Sequence, residues 1–225
     1  MMFTKIISII HTWGPLLIQG MLMTMIVSCC GLAIGLCGGT LFGIGSCRKL
    51  KTLWTPLINF YTLVIRGTPV YVQLLIVYYA LPELININLG PLQAGIIVLG
   101  FNSIAYVAEI IRSGINAVPG GQWDAAYVLG YPRIKTLTLI ILPQAFKNIL
   151  PALINEIIAL IKESSILASI GLLEITRVAM NITAQTLDPL GAYLCVAMIY
   201  LFLTTTISFF AKKIEKKMEF AHDHN

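Results

Sequence analysis

Charge is what this chain has least of. Asp, Glu, Lys and Arg make up 11% of its 225 residues, against roughly 25% in an ordinary soluble domain, while 57% of the residues are hydrophobic. With a mean hydropathy of +0.85, that balance excludes a soluble globular fold. A bilayer-spanning helix takes about 20 apolar residues, so the chain has room for about five spans and little else. Reactive side chains are scarce too. Of the five cysteines, Cys29, Cys30, Cys37 and Cys195 sit in apolar runs, with no CxxC pair and no Cys/His cluster at metal-ligand spacing. They read as small residues packing between helices, and neither a disulfide framework nor a metal site is expected. No GxxxxGK[ST] occurs, so a nucleotide site is not expected on this chain. No His-rich, Cys-based or nucleophile-elbow constellation is present, so no catalytic residue is assigned. The net charge of +5 comes without a basic face interleaved with aromatics, which argues against nucleic acid as a partner.

What is there is apolar sequence in five blocks, at about 16–46, 53–81, 92–111, 137–161 and 189–211. The expected architecture is an all-α integral membrane protein, one transmembrane domain over 1–225. Lys5 precedes the first apolar run as in a signal peptide, but no small-residue cleavage site follows, so the segment reads as a retained helix. The basic residues cluster at Arg48 to Lys51, at Arg112 to Lys135, and in the tail 212–225. Lys and Arg are enriched on cytoplasmic loops, which sets the N-terminus outside and the C-terminus in the cytoplasm. In the first span Gly31, Gly35, Gly39 and Gly43 recur every four residues, a stripe that lets a neighbouring helix approach closely.

The longest polar interval, 112–136, is long enough for a connector to carry function. Within it Pro119-Gly120-Gly121 breaks the chain, Gln122 to Leu129 reads as a short helix, and Gly130 and Pro132 end it. Ala125 and Ala126 lie on that helix. It reads either as a rigid knob for a partner's groove or as an interfacial cap on the bundle.

Here a family comes into view. Asp124-Ala125-Ala126, three residues, Gly130, nine residues, then Ile140-Ile141-Leu142-Pro143 resembles the EAA signature of permease subunits of bacterial ABC importers. The flanks resemble the polar amino-acid branch, of histidine, glutamine and arginine type. They are Arg66-Gly67-Thr68-Pro69, Gln73-Leu74-Leu75, Ala105 to Arg112, Gly121-Gln122, Leu142 to Ala145 and Lys162-Glu163-Ser164-Ser165. Three departures stand out: Asp124 for the usual Glu, Pro132 at a position usually small or polar, and Glu163-Ser164 where Asp-Thr is commoner. The resemblance implies a type I ABC importer permease fold with a cytoplasmic coupling helix, in a bacterial inner membrane. It implies that Gly121, Asp124, Ala125, Ala126 and Gly130 form the surface that docks on an ATP-binding cassette subunit, where ATP is bound. The other implied partners are an extracytoplasmic solute-binding protein, a second permease copy or paralogue, an amino acid and membrane lipid.

Carboxylates in a span cost about 2.5 to 3.5 kcal/mol to insert and so mark candidate sites. Glu156 and Glu163 lie seven residues apart, which on a helix puts them on one face within about 20° and about 10 Å apart along the axis. Such a pair can hold the α-amino group and the cationic end of one extended amino acid. Matching positions in arginine-type relatives resemble this arrangement, which implies a cationic substrate, arginine first. For Glu156, pairing with a basic neighbour or a place among headgroups stays open; for Glu163, a role in a polar helix break does. Thr68 and Ser165 are the candidate donors to the substrate carboxylate. Arg66 interrupts the second span, and Glu109 and Arg112, at i,i+3, can satisfy each other. The competing function is an ion-coupled secondary transporter of polar amino acids, in which these carboxylates would carry protons. The inverted repeats that would support it are absent from the hydropathy pattern.

Overall fold

The computed structural model describes residues 2–50 and 52–220, with side chains from Lys5 to Glu215 apart from Lys51. Lys51, His222 and His224, together with the Lys216 and Lys217 side chains of the basic tail, lie outside the described residues. Nearly everything described is helical. The main helices are α1 (Met2–Gly45), α2 (Thr55–Gly67), α3 (Val70–Leu75), α4 (Leu81–Ile85), α5 (Pro91–Asn116), α6 (Gly120–Val128), α7 (Arg133–Lys135), α8 (Leu142–Glu163), α9 (Ile175–Thr186) and α10 (Pro189–Phe220). Two π-helical stretches, Ile76–Ala80 and Thr136–Ile141, and a 3₁₀ segment, Ser164–Ile170, join neighbouring helices. Four of these helical runs are long and apolar enough to cross a bilayer, Lys5–Gly45, Pro91–Asn116, Arg133–Ile170 and Pro189–Glu215. Thr55–Gly67 with Val70–Ile85 makes a fifth if the broken pair counts as one span.

The helix ends follow from local chemistry. Pro69 is extended (φ −62°, ψ 130°) and lacks an N–H, which ends α2 and restarts the chain as α3. Pro91 opens α5 behind a Gln93 Oε1 that accepts from Gly90 N at 2.7 Å. Before α10, Asp188 Oδ1 accepts from Gly191 N at 3.2 Å and Oδ2 pairs with Lys5 at 3.1 Å. These contacts, the backbone bond first, hold the Asp188 carboxyl below its ordinary value. The first helix starts well before the expected residue 16, because the chain around Lys5 and His11 is part of one continuous helix and Pro15 is absorbed inside it.

The chain forms two compact units, each assembled from three separate segments. Unit 1 is Met1–Ala33, Thr68–Gly100 and Ile157–Phe209. One of its cores packs Ile9 and Leu17 of α1 with Ile175, Val178 and Ile182 of α9 and Cys195 of α10; a second joins Val27, Leu74, Leu99, Leu160 and Leu167. Unit 2 is Ile34–Gly67, Phe101–Glu156 and Phe210–Asn225, with a core of Val107, Ile111 and Ile115 of α5, Leu137 and Ile141, and Ala145 and Ile149 of α8. The glycine stripe has its partners on α5 at the same four-residue step. In unit 1 a Cβ on Gly31 would stand 3.1 Å from Leu99 Cβ. In unit 2 a Cβ on Gly35 would meet the Ser103 hydroxyl, and one on Gly39 or Gly43 would come to 2.6 Å of the Cβ of Val107 or Ile111. A Cβ at Gly35, Gly39 or Gly43 would force a shift and one at Gly31 would be tight, so glycine sets how closely α1 and α5 approach.

Candidate functional site

Unit 2 holds the exposed loop. Pro119 takes the N-cap position of α6 (φ −53°, ψ 134°), and Gly120 and Gly121 form its first turn. The helix therefore begins at the glycines, where a break was expected, because Pro119 supplies the extended residue that a helix start requires. Its end is a Schellman motif: Tyr131 N donates to Ala126 O and Gly130 N to Tyr127 O, both at 3.0 Å, with Gly130 at φ +77°. Ala126 is buried, which together with the half-buried Trp123 anchors one side of α6. The other side faces out. Gly121, Asp124 and Ala125 are exposed, and Tyr127, Val128 and Leu129 are each more than 70% exposed. Asp124 pairs with Lys49 at 3.2 Å, and both are solvated, so the contact adds little to stability. Among the coupling candidates, then, four present an outward surface while Ala126 is the foot that seats it.

Glu156 also belongs to unit 2. It is 7% exposed, and the Ser103 hydroxyl of α5 donates to its Oε1 at 2.8 Å. The seat depends on the glycine stripe, since Gly35 is what leaves room for Ser103. Asn102, 3% exposed, lies next to Ser103 in the chain. Neither was picked out by the sequence, because a Ser and an Asn in an apolar helix carry no signal until a partner is known.

In unit 1 α8 runs to Glu163 and tightens into the 3₁₀ segment, which closes at Gly171 (φ +87°). Glu163 and Ser165 are half-buried at that change of pitch, while Ser164 is fully buried and donates to Ile161 O at 2.8 Å. Thr68 is exposed, and its Oγ1 accepts from Gln73 Nε2 at 2.9 Å. The break at Thr68-Pro69 thus has a side-chain amide covering it. Glu156 and Glu163 lie on the same helix, but the first is held in unit 2 and the second in unit 1.

Unit 1 holds a further buried carboxylate that the scarcity of charge in apolar runs does not single out. Glu174 caps α9, accepting from Thr176 N at 2.9 Å and Arg177 N at 2.7 Å, and Tyr200 of α10 donates to it at 2.8 Å. It is fully buried, and that burial pushes its carboxyl above the ordinary range despite the three donors. An acidic residue just before an amphipathic helix is a capping signal, and it could have been read. On the loop between the first two spans, burial likewise raises the Cys47 thiol to about 11, which makes it an inert packing residue.

Residues 35–220 match the model of the family described as binding-protein-dependent transport system inner membrane component. A putative glutamine transport system permease protein GlnP of Rickettsia prowazekii is 43% identical over 202 residues, covering 90% of this chain and 92% of the relative. The arginine transport system permease protein ArtQ of Bacillus subtilis is 39% identical over 206 residues, covering 91% and 93%. A crystal structure of an amino acid ABC transporter with histidines superposes with a TM-score of 0.85 at 38% identity, covering 92% of this chain and 96% of the other.

Proposed function

The chain belongs to the binding-protein-dependent transport system inner membrane component family and is the permease subunit of an amino-acid ABC importer, and from that premise we propose that its substrate is a cationic amino acid, arginine first. It is a multi-pass inner-membrane transport subunit and not an enzyme; ATP is hydrolysed by a partner. Work in such an importer involves an ATPase, a binding protein and a second permease.

The observation that carries the substrate reading is Glu156. A carboxylate in a span is costly, and this one is almost wholly buried, with the Ser103 hydroxyl donating to it. Glu163, seven residues on along α8, adds a second acid at the change of helix pitch. In this reading the two acids take the amino and cationic groups of the substrate, and Thr68 and Ser165 donate to its carboxylate. The arginine permease of Bacillus subtilis supports the reading. Glutamine is the second reading, favoured by the Rickettsia relative.

Gly121, Asp124, Ala125, Ala126 and Gly130 are proposed to dock α6 on the ATPase subunit, because α6 is an anchored helix with an exposed apolar face. The second permease is a copy or a paralogue. The orientation follows the basic loops, with the N-terminus outside and the C-terminus in the cytoplasm. The deciding experiment is ATPase activity of the reconstituted complex with loaded binding protein. Stimulation by arginine supports the substrate reading; stimulation by glutamine and not by arginine replaces it.

A further inference from the structure

Unit 2 contains a cavity of about 530 Å³, within the roughly 300–1,000 Å³ of small-molecule sites. Polar residues dominate its wall: Ser46, Asn59 and Thr62, with Arg66 at the end of α2 and Glu109 and Arg112 on α5. The charges are unequally shared. Arg112 grips Glu109 at two points, Nη2 to Oε1 at 2.5 Å and Nε to Oε2 at 3.1 Å, and Ser113 Oγ donates to Oε1 at 3.4 Å. Arg66 Nη1 comes only to 3.7 Å of Oε2, within ion-pair range but beyond hydrogen-bond length. Its guanidinium lies over the Tyr106 ring, 5.3 Å from the centroid. Two guanidiniums therefore share one carboxylate, and the wall of the cavity keeps a positive charge. Arginine presents a planar fork of donors that fits a carboxylate in two-point fashion. The Tyr106 face and the distant Glu109 oxygen hold that fork at the cavity, with its side chain 41% exposed.

We propose that Arg66 binds the α-carboxylate of the transported amino acid in this cavity, whose wall does not include Glu156. Glu109 is the positioning residue. It fixes Arg112 and sets the direction of Arg66 without quenching it. This rests on the amino-acid importer reading and adds to it a group that all amino-acid substrates share, so the site serves passage and leaves side-chain selection to Glu156 and Glu163. The excess charge is its chemical reason, because a guanidinium in a polar cavity pairs with the carboxylate end of an amino acid whatever the charge of its side chain.

The test is arginine uptake by the complete importer in proteoliposomes, with ATPase stimulation by loaded binding protein as the check on assembly. Arg66→Ala should lower uptake per ATP hydrolysed about tenfold, the scale of a lost charged hydrogen-bond pair, and Arg66→Lys should recover only part of it. Should Arg66→Ala not assemble, Arg66→Gln is read in its place. The double variant Arg66→Ala with Glu109→Gln should remain as impaired as Arg66→Ala. Its return to wild-type uptake would show that Arg66 merely neutralises Glu109, and would overturn the site while leaving the importer intact. Wild-type uptake by Arg66→Ala overturns it equally. An importer that moves no amino acid even as the wild type overturns the functional reading first and this site with it.

Discussion

At the scale of single residues, burial decides which carboxylates matter. Glu156 and Glu174 are both buried, but they are held differently, one by a side-chain hydroxyl and the other by two backbone amides and a tyrosine. Glu156→Gln keeps the shape and removes the charge. Arginine uptake should fall about tenfold or more, on the scale of one charge-assisted contact, while glutamine uptake stays within about twofold. Equal loss for both substrates in a competitive uptake assay would remove the charge-selection role. Glu174 makes a prediction about pH. Because its carboxyl is raised in the folded protein, its contribution to stability is complete below the ordinary value of 4.5 and is lost as pH rises through the raised value. The thermal-stability advantage of the wild type over Glu174→Gln in detergent should grow as pH falls from neutral toward 4.5. An advantage that shrinks on acidification would contradict that sign. Glu156 and Glu163 were legible from the sequence because acids are rare in apolar runs. Their surroundings were not, since Ser103 lies 53 positions from Glu156 and only the packing of α5 on α8 joins them.

Among the elements, α6 is the one whose form answers most directly to its residues. Its start and stop, Pro119 and Gly130, are local signals, and its stop depends on a left-handed residue. Gly130→Ala should cost about 1 to 2 kcal/mol, the penalty of a side chain in that region. Charge reversal at Asp124, or deletion of 124–130, should abolish co-purification of the ATPase while membrane insertion is unchanged. Pull-downs with unaltered stoichiometry would refute the docking role. The glycine stripe was equally legible as a packing face, since its four-residue period is a property of one helix. Its partners, Leu99, Ser103, Val107 and Ile111, came only with the structure. The π-helical stretches Ile76–Ala80 and Thr136–Ile141 also came only with the structure.

For the molecule as a whole, the energy source separates the two transport classes that the composition allowed. In proteoliposomes loaded with ATP, uptake should survive a protonophore and stop when the ATPase subunit is inactivated; the reverse pattern would identify an ion-coupled carrier. Membrane residence, the number of apolar blocks, the exposed loop and the presence of rare intramembrane charges were all determined by the sequence alone. Each is a matter of composition or local period, and hydration cost or helical pitch reads it directly. The tertiary structure alone decided how helices α1, α5, α8 and α10 are divided between two compact units, so that Glu156 meets Ser103 in one and Glu163 marks a 3₁₀ turn in the other. It alone brought Arg66 to a carboxylate 43 positions away, turning an apparent interruption of a span into one wall of a charged cavity. The physical reason is that such pairings depend on which helix faces meet. A residue's own periodicity assigns it to a face, but close packing across the whole core chooses the face opposite.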